Sequence, residues 1–147
     1  MKLFTIGFTK KSAEDFFTAL QDNGVEKLID IRLNSNSQLA GFAKDQDLKY
    51  FLPTINGIPY VYQQELTPTK EIMTGFRDKK ITWSEFEEIY NRLLETRSVA
   101  DMVKKDSGQF ENACLLCSEA EPTHCHRRLA AEFIKANASV AVEIVHL

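Results

Sequence analysis

The sequence predicts an α/β fold: a single domain spanning residues 1–147, with about five mainly parallel strands and helices on both faces. This is a Rossmann-like or flavodoxin-like three-layer sandwich. Three observations carry the prediction. Short β-rich runs alternate with apolar patterns of helical period along the chain. One run, Ala113 to Cys117, is wholly apolar, as expected of a strand at the buried centre of a parallel sheet. The length of 147 residues is that of one ordinary domain, large enough for a sizeable core.

The elements follow in order. Leu3 to Gly7 is a short first strand. Ser12, with Asp15 three residues on, has the form of a capping box and opens a helix carrying Phe16, Phe17 and Leu20 on one stripe. Asn23-Gly24 ends that helix, with Gly24 in a left-handed turn. Lys27 to Leu33 is the second strand. It sends Leu28, Asp30 and Arg32 to one face and Ile29, Ile31 and Leu33 to the other. Leu48, Phe51, Leu52 and Ile55 recur at helical spacing, with Pro53 as a kink. Asn56-Gly57 turns the chain into Ile58 to Tyr62, a third strand whose Pro59 points to an edge or an irregular entry. Gln63 to Ile81 shows no clean period. Thr82-Trp83-Ser84-Glu85 is a capping box for a helix whose single face holds Phe86, Ile89, Tyr90, Leu93 and Leu94. A short helix from Ser98 to Lys105 follows and stops at Ser107-Gly108. After the Ala113–Cys117 strand, Thr123 to Ala136 reads as the last helix, with Pro122-Thr123 in its first turn. Val140 to Val145 closes the chain as a strand.

Composition limits the function classes. Hydrophobic residues are 44% and charged residues 27%, which is globular. The net charge of −3 disfavours nucleic acid as a partner, though a local basic patch stays open. No run approaches the length of a membrane span, so no membrane partner is expected. Leu3 to Phe8 is too short for an export signal, and Cys114, Cys117 and Cys125 are an odd set, which points to free thiols in a cytoplasmic setting.

In a parallel sheet, ligands sit beyond the carboxyl ends of the strands. Those ends are Gly7-Phe8-Thr9, Arg32 to Ser37, Tyr62 to Glu65, and Cys117 to Cys125. The last is the richest. A helix beginning there would present free amides and a partial positive charge to Cys125, His126 and Arg127. A thiol in that place is expected to ionise easily, and Cys125 is the better nucleophile because Glu119 and Glu121 follow Cys117. His126 is the partner base, and Glu119 a general base or hydroxyl acceptor. Arg32 and Arg127 are anion ligands, with Asp30 orienting Arg32. Gly7 permits close backbone approach, and Thr9 offers a hydroxyl.

A metal site at Cys117, His124, Cys125 and His126 is a weaker alternative, and no residue is assigned as a metal ligand. Cys114 and Cys117 stand three apart on a strand and so face opposite ways. A third reading is structural: His126 and Arg127 fasten the helix to the sheet through Asp30 or Glu119. Cys114 reads as core.

Four stretches together resemble a known family: Thr5-Ile6-Gly7; Asp30-Ile31-Arg32 with Ser37; Gly57-Ile58-Pro59-Tyr60; and Leu116-Cys117-Ser118-Glu119 with Cys125-His126-Arg127. The family is the one known as domain of unknown function 488, and the resemblance runs from Thr5 to about Val145. It implies a compact bacterial or archaeal α/β domain. Its signature positions are Gly7, Asp30, Arg32, Ser37, Cys117, Glu119, Cys125, His126 and Arg127. It implies no reaction. The chain departs from it at Phe8-Thr9, where members often carry His-Ser, and at Leu66-Thr67-Pro68, where Leu-Gly-Gly is usual.

The leading expectation is a small cytosolic enzyme acting on an anionic ligand such as a nucleotide or sugar phosphate. The alternatives are a ligand-sensing or nucleic-acid-associated module and a Cys/His metal site. Reaction, cofactor, strand order and oligomeric state are not legible.

Overall fold

The computed structural model describes residues 1–36 and 40–147. Ser37, expected at the site, lies outside the described residues. The chain order is β1 (Lys2–Gly7), α1 (Ala13–Asp22), β2 (Lys27–Asp30), α2 (Asp45–Phe51), β3 (Tyr60–Tyr62), α3 (Lys70–Arg77), α4 (Trp83–Thr96), α5 (Val99–Lys105), β4 (Ala113–Cys117), α6 (His126–Asn137) and β5 (Glu143–His146). The strands form one parallel sheet in the order β3-β2-β4-β1-β5. That order is neither the dinucleotide-binding nor the flavodoxin order, although the three-layer plan is the same.

The order explains the layers. Connections from β1 to β2 and from β2 to β3 run toward one edge. Those from β3 to β4 and from β4 to β5 run toward the other. Right-handed crossovers then put α1 and α2 on one face and α3 to α6 on the opposite face. Two buried clusters match this division. Phe16, Leu20, Leu48 and Leu52 pack with Phe4, Ile6, Leu28 and Cys114. Tyr90, Val103, Leu129 and Ile134 pack with Leu3, Ile29, Ile31 and Leu115. Cys114 and Cys117 therefore face opposite layers, as the strand period requires. β1 and β4 are neighbours whose connections run toward opposite edges, the strand arrangement beside which parallel sheets place ligands.

Local signals hold at most boundaries. The Ser12, Thr69 and Thr82 side chains accept from backbone amides three residues on and so cap α1, α3 and α4. Gly24 and Gly57 adopt left-handed φ values of 66° and 67° at turns. Pro53 falls in a wide, π-type turn over Leu52–Asn56 that continues α2.

Four expectations are corrected. β2 ends at Asp30 rather than Leu33: its ladders with β3 and with β4 both stop there. Residues 63–81 do contain a helix, α3, whose Ile72 and Phe76, four apart, reach the core. Ile89 lies on the solvent side of α4 and is 38% exposed. The last helix starts at His126, not Thr123: Cys125 is extended (φ −133°, ψ 135°) and forms its N-cap. No helix among the described residues is long and apolar enough to cross a membrane.

Candidate functional site

Strand alternation sorts the residues expected at the site onto two faces. On β4, Cys117 follows Leu115 toward the α6 layer. On β1, Thr5 follows Leu3 to the same side. On β2, Asp30 follows Leu28 toward the α1/α2 layer. The expected cleft combining Arg32 with Arg127 is therefore not formed. Two separate assemblies stand back to back at the carboxyl end of the sheet.

On the α6 face, three first-turn groups converge on the end of β4. Cys125 Sγ lies 2.7 Å from Cys117 Sγ. His126 Nδ1 lies 3.5 Å from Cys117 Sγ. His126 Nε2 donates to the Ile31 carbonyl at 2.8 Å, since a carbonyl only accepts. That bond leaves Nδ1 to face the sulfur, either accepting its proton or donating one back. The Tyr90 ring meets the imidazole edge-on at 5.8 Å and fixes its plane. Cys117, Cys125 and His126 are all below 5% exposure.

Burial alone would raise the Cys117 thiol pKa. The Cys125 hydrogen bond, the His126 charge and hydrogen bond, and the Glu119 amide more than offset this and hold it well below the ordinary thiol value. Burial would lower His126, but the Cys117 charge and hydrogen bond and the Ile31 contact raise it. Both shifts favour passing the Cys117 proton to the imidazole. Cys125 goes the other way: burial, then its bond to Cys117 and that thiolate's charge, push it up. The thiol expected to ionise was Cys125. The one favoured is Cys117, because only Cys117 faces the imidazole, and the carboxylates of Glu119 and Glu121 point away on exposed residues.

Arg127 is fully buried yet does not face a ligand space. Its Nη1 donates to the Glu119 carbonyl, Nη2 to the Ala120 carbonyl at 3.0 Å and Nε to Thr5 Oγ1 at 3.3 Å. Nη1 also reaches Cys125 Sγ at 3.6 Å. No carboxylate pairs with it among the described residues. It holds the loop after β4 and adds positive charge beside the thiols. Gly7, paired with Cys117 across the sheet, lies under that loop. A Cβ there would sit 1.7 Å from the Glu119 carbonyl oxygen, so the close approach expected at this glycine is a steric requirement. Thr9 is half-buried and its amide donates to the Ser118 carbonyl at 3.1 Å. Glu119 contributes backbone atoms here, while its side chain is exposed.

On the other face, Asp30 is fully buried and pairs with Arg32 through Nε at 2.9 Å and Nη2 at 2.7 Å. The Tyr60 hydroxyl donates to Asp30 at 2.7 Å, and Arg32 Nη2 also donates to the Ser35 carbonyl. Burial and the Asp30 hydrogen bond raise the Tyr60 pKa. The guanidinium lies 5.3 Å from the Phe8 ring centroid, so the residue that replaces the family's histidine packs against Arg32. One nitrogen, Arg32 Nη1, is buried with no partner among the described residues.

A metal fits this arrangement poorly. Donor atoms of Cys117, Cys125 and His126 lie within 4.8 Å of one another. Two thiolates on a tetrahedral zinc stand about 3.8 Å apart, given Zn–S bonds of about 2.3 Å. The sulfurs here are 2.7 Å apart, and a buried guanidinium faces one of them.

Sequence reasoning missed the parts played by Thr5, Tyr90 and the Ile31 carbonyl. Thr5 and Tyr90 sit on periodic apolar faces and read as packing. A backbone carbonyl carries no residue signal at all.

Fold and site define a parallel α/β protein with a buried thiol–imidazole pair at the carboxyl end of its sheet. The chain belongs to the family described as Domain of unknown function DUF488, which matches residues 12–134. The match takes in β2, β4 and the first turns of α6, and it leaves β1 with Gly7 outside. No curated protein and no solved structure matches the chain.

Proposed function

We propose that the chain is a thiol enzyme acting on a small anionic molecule, with Cys117 as nucleophile and His126 as its base. The observation that carries this reading is the His126 ring held between Ile31 and Cys117. Its Nε2–H is committed to a carbonyl, so Nδ1 is the atom that takes the thiol proton. The anionic preference follows from a charge count. Arg127 and protonated His126 contribute two positive charges, and the Cys117 thiolate one negative. The helix N-terminus adds more positive potential. Arg127 serves this indirectly, by holding the loop and biasing the field. The substrate class expected from the sequence, a nucleotide or sugar phosphate, satisfies the charge requirement. Access needs the loop from Ser118 to His124 to lift, because it roofs the sulfurs.

The test compares two alkylating probes by peptide mapping. Neutral iodoacetamide ordinarily outpaces anionic iodoacetate. At Cys117 we expect iodoacetate to be favoured, at neutral or mildly acidic pH, with Cys114 silent. Cys117→Ala abolishes the reaction. If Cys117 is as inert as Cys114 toward both probes in the folded protein, the reading fails.

A further inference from the structure

We propose that Cys117 and Cys125 are a redox pair, closed into a reversible disulfide by a hydroperoxide. The first step uses the same Cys117 thiolate as the enzyme reading; the second belongs to Cys125 alone. The geometry points to this pair in three ways. The two sulfurs approach to 2.7 Å with no third group between them. Cys125 is the N-cap of α6 and Cys117 ends β4, so a link between residues eight apart in the chain closes only the short loop between them. Both sulfurs are almost fully buried, so the oxidant proposed is the smallest hydroperoxide, hydrogen peroxide.

The steps balance. Cys117 sulfur attacks one peroxide oxygen and the O–O bond breaks. The departing hydroxide takes the proton held at His126 Nδ1 and leaves as water, giving a Cys117 sulfenic acid. Cys125 sulfur then attacks the Cys117 sulfur. The S–O bond breaks, the Cys125 thiol proton goes to the departing hydroxide, and a second water leaves. Two thiols are oxidised and one peroxide is reduced to two waters. A dithiol reverses the bond by exchange, and is itself oxidised to a disulfide. The Arg127 Nη1 contact with Cys125 holds that sulfur beside its partner while the roof stays shut. Oxidation removes the thiolate, so the nucleophile is switched off without loss of the residue.

The reduced full chain is treated with hydrogen peroxide, and its thiols are then trapped and mapped. The expected product carries a Cys117–Cys125 link and a free Cys114. Alkylation at Cys117 falls by about tenfold or more, and dithiothreitol restores it. In Cys125→Ser, and in Cys125→Ala as a second variant of different polarity, no link forms. Dimedone then captures the sulfenic acid at Cys117. Three results overturn the proposal: both thiols staying free at several equivalents of peroxide, Cys117 passing directly to sulfinic acid in the unaltered protein, or stoichiometric zinc retained on the two sulfurs. The two readings fail separately. Rapid iodoacetate labelling of Cys117 without a peroxide-induced link sinks the redox pair alone. A link formed by a Cys117 that resists iodoacetate sinks the enzyme reading alone.

Discussion

The two faces of the sheet handle buried arginine in opposite ways. On the α1/α2 face, Arg32 is matched by Asp30, and Tyr60 satisfies what remains of the carboxylate. On the α6 face, Arg127 is buried just as deeply but bonds only carbonyls, a hydroxyl and a thiol. A cation without a counter-charge favours any nearby group that can become an anion. Cys125, which Arg127 Nη1 reaches, feels that pull, whereas Cys117 is lowered against burial by Cys125, the His126 imidazole and the Glu119 amide. A closed ion pair supports the fold, whereas an open charge balance supports chemistry. The faces meet at the Ile31 peptide, which lies between Asp30 and Arg32 and receives His126 from the other side.

The largest expected effect tests whether the faces are independent. Asp30→Asn leaves Arg32 charged, buried and unmatched, which costs about 3–5 kcal/mol. Chemical denaturation measures the loss. Cys117 labelling in the fraction still folded is expected to keep its unaltered rate. A labelling change as large as the stability change would join the faces into one site.

The next effect is chemical. His126→Gln keeps a donor for the Ile31 carbonyl but removes the proton acceptor at Cys117. Labelling at neutral pH is expected to fall about tenfold or more, with a smaller change in stability. Stability against pH gives the sign. Cys117 is depressed in the fold, so its contribution is present above the ordinary thiol value and is lost as pH falls through the folded value. His126 is raised, so its contribution is present below 6.5 and is lost as pH rises through the folded value. The pair is intact only between those limits, and the variant should flatten both arms. An unchanged profile would show that the two groups do not titrate together.

The smaller stability effect lies at the edge strand. Tyr60→Phe removes one hydrogen bond to the Asp30 carboxylate and is expected to cost about 1.5–3 kcal/mol, read as a shifted denaturation midpoint. A cost near that of Asp30→Asn would mean that Tyr60, not Arg32, holds the carboxylate in place.

Much of this was legible beforehand. The capping residues Ser12 and Thr82 announced their helices, the apolar run Ala113–Cys117 announced the central strand, and Pro59 announced an edge. Such signals are local, so sequence alone carries them. The segment from Cys117 to Arg127 also stood out, because reactive residue types crowd into it. The α3 helix did not, since it is only eight residues long and buries one of them, Ile72. The choice between the two thiols was misjudged for a different reason. Position at a helix start favours Cys125, but contact with the imidazole, which falls to Cys117, outweighs it.

The sequence by itself determined the alternation of strands and helices, the central strand and the residue types at the carboxyl end of the sheet, because period and capping act within a few residues. Only the tertiary structure decided which of them meet. Strand order put β4 between β2 and β1, and thereby set His126 against Ile31 and Gly7 under Glu119. Strand alternation then sent Asp30 and Cys117 to opposite faces. Two arginines of equal promise in the sequence became one neutralised pair and one unmatched charge, because a charge balance depends on neighbours brought together by the fold.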